Sequence, residues 1–169
     1  LYTLAGSILI LIAMVVLAAS SGSLDFDDLR NLQAMGSMLD AETGAYFSGL
    51  PLRSWVFLLL IIGFAVKIPV VPLHTWLPDA HVEAPTAISV VLAGILLKTG
   101  GYGMIRFGAM VFPGEWVEYS FVIAVFAVIS VVYGGLNALA ARDLKRMVAY
   151  ASVSHMAVSY THLMLPTKA

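Results

Sequence analysis

Five stretches of this chain, residues 1–24, 54–78, 84–105, 119–141 and 147–167, run for about twenty residues or more with at most one formal charge each. A hydrocarbon core of about 30 Å needs roughly 20 apolar helical residues to cross it. The expected fold class is therefore all-α, a polytopic transmembrane helix bundle of about five spans, near residues 1–19, 54–77, 86–112, 117–140 and 144–159. Composition agrees. The chain is 60% hydrophobic and 11% charged, whereas a soluble domain carries about 25% charged residues to solvate its surface. A net charge of -1 leaves no clustered basic face for nucleic acid. With no cysteine, neither a disulfide framework nor an iron–sulfur or thiolate–zinc site can be built from these residues.

Ala18-Ala19-Ser20 has the small residues of a signal-peptide cleavage site, but no initiating Met and no basic segment precede it. The chain is expected to begin inside a larger protein. A polar stretch follows to Arg53, with Asp25, Asp27, Asp28, Asp40 and Glu42 against Arg30 and Arg53. Within it Phe26, Leu29, Leu32 and Met35 recur every third residue after Asp25, which suits a short helix lying on the membrane surface. Pro69 and Pro72 fall partway across the second span, where each removes a backbone donor, so the helix should break or kink there. A polar connection, Pro78 to Pro85, leads to the third span, and Pro113-Gly114 ends it. The turn Arg142, Asp143, Lys145, Arg146 carries three bases to one acid, which places it in the cytoplasm by the positive-inside rule. Alternation then puts the Trp76–Pro85 connection on that side, and the acidic loop and the Pro113 turn outside.

Lys67 and Lys98 lie near the middle of successive spans. A lysine at a helix centre costs about 2.5–3.5 kcal/mol to insert, so each must face a partner or a hydrated cavity. Burial favours the neutral amine and a nearby carboxylate favours the ammonium, so moving one acid switches the charge, as a proton relay requires. The competing role is a permanent ion pair that holds helices together; two such lysines on successive spans favour transport. The proline break beside Lys67 sharpens this, because unwound backbone inside a membrane is tolerated where it is buried or lines an aqueous cavity. A plain packing kink would explain the prolines but not the adjacent charge.

Lesser candidates follow. His155 should lie well inside the membrane and is a third relay candidate; His74, past the break, is either a relay to the cytoplasm or a satisfied core histidine. His74, Asp79, His81 and Glu83 match no metal-ligand spacing and are expected to be a solvated loop. Thr99-Gly100-Gly101-Tyr102-Gly103 sits in a span with no preceding strand, so its small residues should serve close helix packing rather than phosphate binding. Arg106 and Asp143 are expected as interfacial anchors, and Asn137 as a hydrogen bond between helices.

The run Phe64-Ala-Val-Lys-Ile-Pro-Val-Val-Pro-Leu-His-Thr-Trp-Leu-Pro-Asp-Ala-His-Val-Glu-Ala-Pro-Thr-Ala, continued by Leu-Ala-Gly-Ile-Leu-Leu-Lys98-Thr-Gly-Gly-Tyr-Gly-Met-Ile-Arg106 and by Asp143-Leu-Lys-Arg-Met-Val-Ala-Tyr-Ala-Ser-Val-Ser-His155-Met, resembles the antiporter-like M subunits of proton-translocating NADH:quinone oxidoreductase. These are the subunits of respiratory complex I with chain 4 counterparts in mitochondria and plastids. The resemblance covers roughly Leu1 to Ser159 and implies an internal fragment, the sixth to tenth of about fourteen spans. It implies that Lys67 pairs with a glutamate two helices earlier, absent here, and that Lys98 continues a central hydrophilic axis.

It further implies that NAD, FMN, iron–sulfur clusters and quinone belong to partner subunits, with no cofactor in this chain. The implied partners are the other membrane and peripheral subunits of complex I and the lipid bilayer, and the implied location is the bacterial plasma (inner) membrane. Cation/proton antiporters share the lysine and the broken helix, and a secondary antiporter subunit is the alternative; a purely structural scaffold is a third. After Ser159 the pattern is lost, and Tyr160 to Ala169, polar and proline-broken, is expected to be a non-native tail.

Overall fold

Long apolar runs leave the backbone one way to satisfy its own polar groups in lipid, and the chain takes it. The computed structural model describes residues 1–21, 25–31 and 51–164, which are helical apart from short turns. Helix α1 (Tyr2–Ser21) is uninterrupted. The short α2 (Phe26–Arg30) carries Asp27 and Asp28 in its first turn; Leu32 and Met35, expected to extend it, lie outside the described residues. Helix α3 (Leu52–Lys67) stops at the predicted break, and α4 (Trp76–Glu83) resumes after it. Then come α5 (Thr86–Ala109), α6 (Pro113–Ala140) and α7 (Leu144–Met164).

Tyr2–Ala19, Thr86–Ala109 and Pro113–Ala140 are each long and apolar enough to cross a membrane alone. The 16 residues of α3 span only ~24 Å at ~1.5 Å per residue, short of a ~30 Å hydrocarbon core. Helix α6 starts earlier than expected because Pro113 opens it, at a position where a missing N–H costs nothing. Helix α7 does not stop at Ser159 but winds on to Met164.

Small residues set the crossings. A Cβ on Gly63 would lie 2.9 Å from the Gly6 carbonyl, so α1 and α3 meet backbone to backbone. Gly103 of α5 makes room for the Phe64 ring of α3, and a Cβ on Gly134 of α6 would lie 3.0 Å from the Ser154 backbone nitrogen of α7. In lipid, such close approach supplies the dispersion contact that hydrophobic exclusion cannot. The expected packing role of the glycine run on α5 is met by Gly100 and Gly103. Leu17, Phe57, Leu60, Phe64, Met104 and Phe112 fill the main core. A second core joins Leu77, Leu97 and Val153 from α4, α5 and α7.

Charged contacts tie the ends. Arg53 Nε meets Glu115 Oε1 at 2.6 Å, joining the start of α3 to the start of α6. At the other end Lys145 Nζ donates to Ala84 O at 3.2 Å and Val82 O at 3.4 Å. These are the pairs of connections that strict alternation puts on common sides. Arg106 is anchored by the Phe26 ring, 4.1 Å from its guanidinium carbon, and donates to Tyr102 Oη at 2.7 Å. Asn137 corrects its expectation. Its amide donates to Tyr133 O at 2.8 Å on its own helix, one turn back, rather than across to another.

Candidate functional site

Pro69 has no N–H to continue α3, so the carbonyls of its last turn need other donors, and those of Phe64, Ala65 and Val66 find them. Ile68 N–H donates to Phe64 O at 2.8 Å, and Val70 N–H reaches back to Ala65 O at 3.2 Å. The indole Nε1–H of Trp76 donates to Val66 O at 2.8 Å. On the far side of Pro69 the Val71 N–H donates to Ser130 Oγ at 2.9 Å, across from α6. The break is tied by specific hydrogen bonds to α4 and α6 rather than left as a frayed end. A cavity of about 260 Å³ lined by Phe57, Ile61, Val71, Pro72, Tyr119 and Phe126 lies alongside it, apolar throughout.

Lys67 is the last residue of α3 and is half-buried. The carbonyl end of a helix is electronegative, which favours an ammonium there by about 0.3–1 kcal/mol, more where it is partly buried. Among the described residues its side chain has neither a hydrogen bond nor an ion pair. A positive charge there is favoured by the helix end, and no carboxylate of the described residues pairs with it.

Lys98 goes elsewhere. Gly100 of α5 packs on Lys67, with a Cβ on Gly100 falling 3.3 Å from Lys67 Cβ. Two residues back is a rotation of about 200°, so Lys98 projects from the opposite face and is exposed. The helix winds wide, with π-type turns, at Leu92–Leu96 and again at Met104–Ala109, on either side of the Lys98 segment. Such turns concentrate at functional sites, and no residue pattern announced them.

His74 sits within the break segment, 4% exposed, with the Tyr133 ring of α6 at 4.9 Å and the Tyr150 ring of α7 at 6.4 Å. Its ring interacts with the Pro72 backbone, while Nδ1 meets no hydrogen-bond partner at close geometry among the described residues. His155 is exposed on α7, because Val153 and Ala157 face the bundle and a residue between them at helical spacing faces away. The fold thus brings Lys67 and His74 to one break and leaves Lys98 and His155 on outer faces.

The expected solvated loop around His81 is corrected. Residues Trp76–Glu83 form a helix, and the spacing of His74, Leu77 and His81 places all three on one buried face. His81 Nδ1 hydrogen-bonds Ser89 Oγ of α5, while Asp79 and Glu83 turn outward. No group of metal-ligating side chains is assembled among the described residues. Ser130 and Trp76, which hold the break, were not singled out by the sequence. Ser130 left a signal, being the single polar side chain between Phe121 and Val132.

The family described as NADH:quinone oxidoreductase/Mrp antiporter, transmembrane, matches residues 1–169. The chain belongs to that family. Within it, the chain is 46% identical over 161 residues to NADH-ubiquinone oxidoreductase chain 4 of Dictyostelium discoideum, covering 94% of this chain and 27% of that protein. It is 42% identical over 156 residues to NADH-quinone oxidoreductase subunit M of Rhodobacter capsulatus, covering 92% and 30%. The chain thus spans less than a third of the length of these two relatives. Its fold matches a chain of respiratory complex I from Thermus thermophilus with TM-score 0.77 and 31% identity, over 97% of this chain and 32% of that one. It also matches a chain of the Mrp complex from Dietzia sp., with TM-score 0.78 and 21% identity over 97% and 28%, a likeness of fold. The family is a transmembrane one, and the bundle is an all-α membrane bundle.

Proposed function

We propose that this chain is the central part of an M-type subunit that moves protons across a bacterial plasma membrane, driven by electron transfer from NADH to quinone in partner subunits. The observation that carries the reading is Lys67, held without a carboxylate partner among the described residues at the carbonyl end of a broken helix. A charge so placed is stabilised by the helix end and by any acid brought near, and destabilised by desolvation, so its protonation follows the movement of a neighbour. Lys67 is the switched proton carrier, Lys98 the next relay group, and His74 and His155 further stations. The five crossings and the cytoplasmic Arg142 turn belong to the same reading. NAD, FMN, iron–sulfur clusters and quinone belong to partner subunits, and this chain contributes side chains that accept and release protons.

Replacing Lys67 by Met in the full-length protein should lower NADH-driven proton uptake by inverted membrane vesicles at least about tenfold, since the barrier to a proton crossing without its carrier rises by more than ~1.4 kcal/mol. An unchanged proton-to-electron ratio would remove Lys67 from the path. A second reading, a secondary cation/proton antiporter subunit, draws on the fold shared with the Mrp complex chain. The higher identity to the complex I chain favours the first. Transport driven by an imposed ion gradient alone, with no dependence on NADH, would favour the second.

A further inference from the structure

Hydroxyls in these helices mostly bond their own backbone. Ser7, Ser120 and Ser152 each donate to a carbonyl three or four residues back and go no further. Ser130 does this too, donating to Phe126 O at 2.7 Å. It alone among these four also accepts a backbone N–H from another element, that of Val71, 59 residues away in the chain and four residues past Lys67. Its side chain is 0% exposed, so in its absence no water replaces it at that amide, and an unsatisfied buried N–H is costly enough to reshape a short segment.

We propose that Ser130 is a positioning residue for Lys67: by holding the Val71 amide it fixes the form of the broken segment, and with it where the Lys67 ammonium stands relative to its proton donors and acceptors. The inference rests on the reading of Lys67 as a proton carrier. Two connections make the geometry specific. Trp76 closes the helix end on one side of the break and Ser130 closes the returning chain on the other, while Pro69 and Pro72 have no N–H to donate. Among the described residues, the titratable side chains about the segment are Lys67 itself, His74, the Tyr133 and Tyr150 rings that face His74 from α6 and α7, and Tyr119 of α6, which lines the cavity with Val71 and Pro72.

The test uses the full-length protein assembled with its partner subunits in membrane vesicles, following NADH-driven proton uptake as a function of pH. Ser130→Ala removes the acceptor at nearly constant volume, and Ser130→Cys replaces it with a poor one. With NADH oxidation retained, both should lower proton uptake per electron by about 3- to 10-fold, the scale of one lost hydrogen bond, and displace its pH dependence. Ser130→Thr, which keeps the hydroxyl, should restore both. A wild-type pH dependence in either hydroxyl-free variant that assembles overturns the proposal, and so does failure of both to assemble, which would make Ser130 a folding requirement. Lys67→Met is measured beside them. If it pumps normally the carrier reading fails and this inference with it; if it is inactive while Ser130→Ala behaves as wild type, the Ser130 inference alone fails.

Discussion

The proposed role of residue 67 turns on what a lysine can do that an arginine cannot. Both carry the charge that the carbonyl end of α3 favours, but a guanidinium does not give up its proton in a protein, whereas a desolvated ammonium does. Lys67→Arg should therefore assemble like the wild type yet pump as poorly as Lys67→Met, read as NADH-driven proton uptake per electron in vesicles. Substantial pumping by the arginine variant would mean that the positive charge matters and its loss of a proton does not. The sequence made the break beside Lys67 legible because two helix-breaking prolines follow that charge within five residues. Ser130 was not, because a serine within an apolar run is usually content with its own helix, and only the tertiary arrival of Val71 distinguishes it. Asn137 erred the other way, with its amide settled one turn back where a bridge between helices was expected.

At the level of elements, hydropathy located the helices well, since lipid permits few alternatives to a long apolar helix. It did less well where a helix is short and mixed. The α4 residues read as a polar loop because Asp79, His81 and Glu83 crowd eight positions, yet helical winding sorts them into a buried histidine face and an exposed acidic one. The direction of Lys98 was equally hidden, fixed by which glycine of α5 presses on α3. The α1–α3 crossing offers a direct test of how such glycines act. Gly63→Leu would drive a side chain into the Gly6 carbonyl and the Ile10 side chain, with backbone that cannot give way. The two helices must separate, at a cost of at least about 1–3 kcal/mol, seen as a lower melting temperature of the detergent-solubilised complex. A melting curve superimposable on the wild type would show that the helices do not meet as described.

Across the whole molecule, the two end contacts, Arg53 with Glu115 and Lys145 with the carbonyls closing α4, lash together connections far apart in the chain. The described helices leave Lys98 on an outer face of α5. Ile95, Leu96 and Tyr102 stand in the open together with it, and an ammonium facing acyl chains is costly. Under the proposed relay role of Lys98, this face of α5 is a wall turned toward water or further protein rather than lipid. In the full-length protein a lipid-soluble diazirine should label Phe121 on α6 and spare Tyr102; heavy labelling of Tyr102 would turn that wall toward the fatty acids instead.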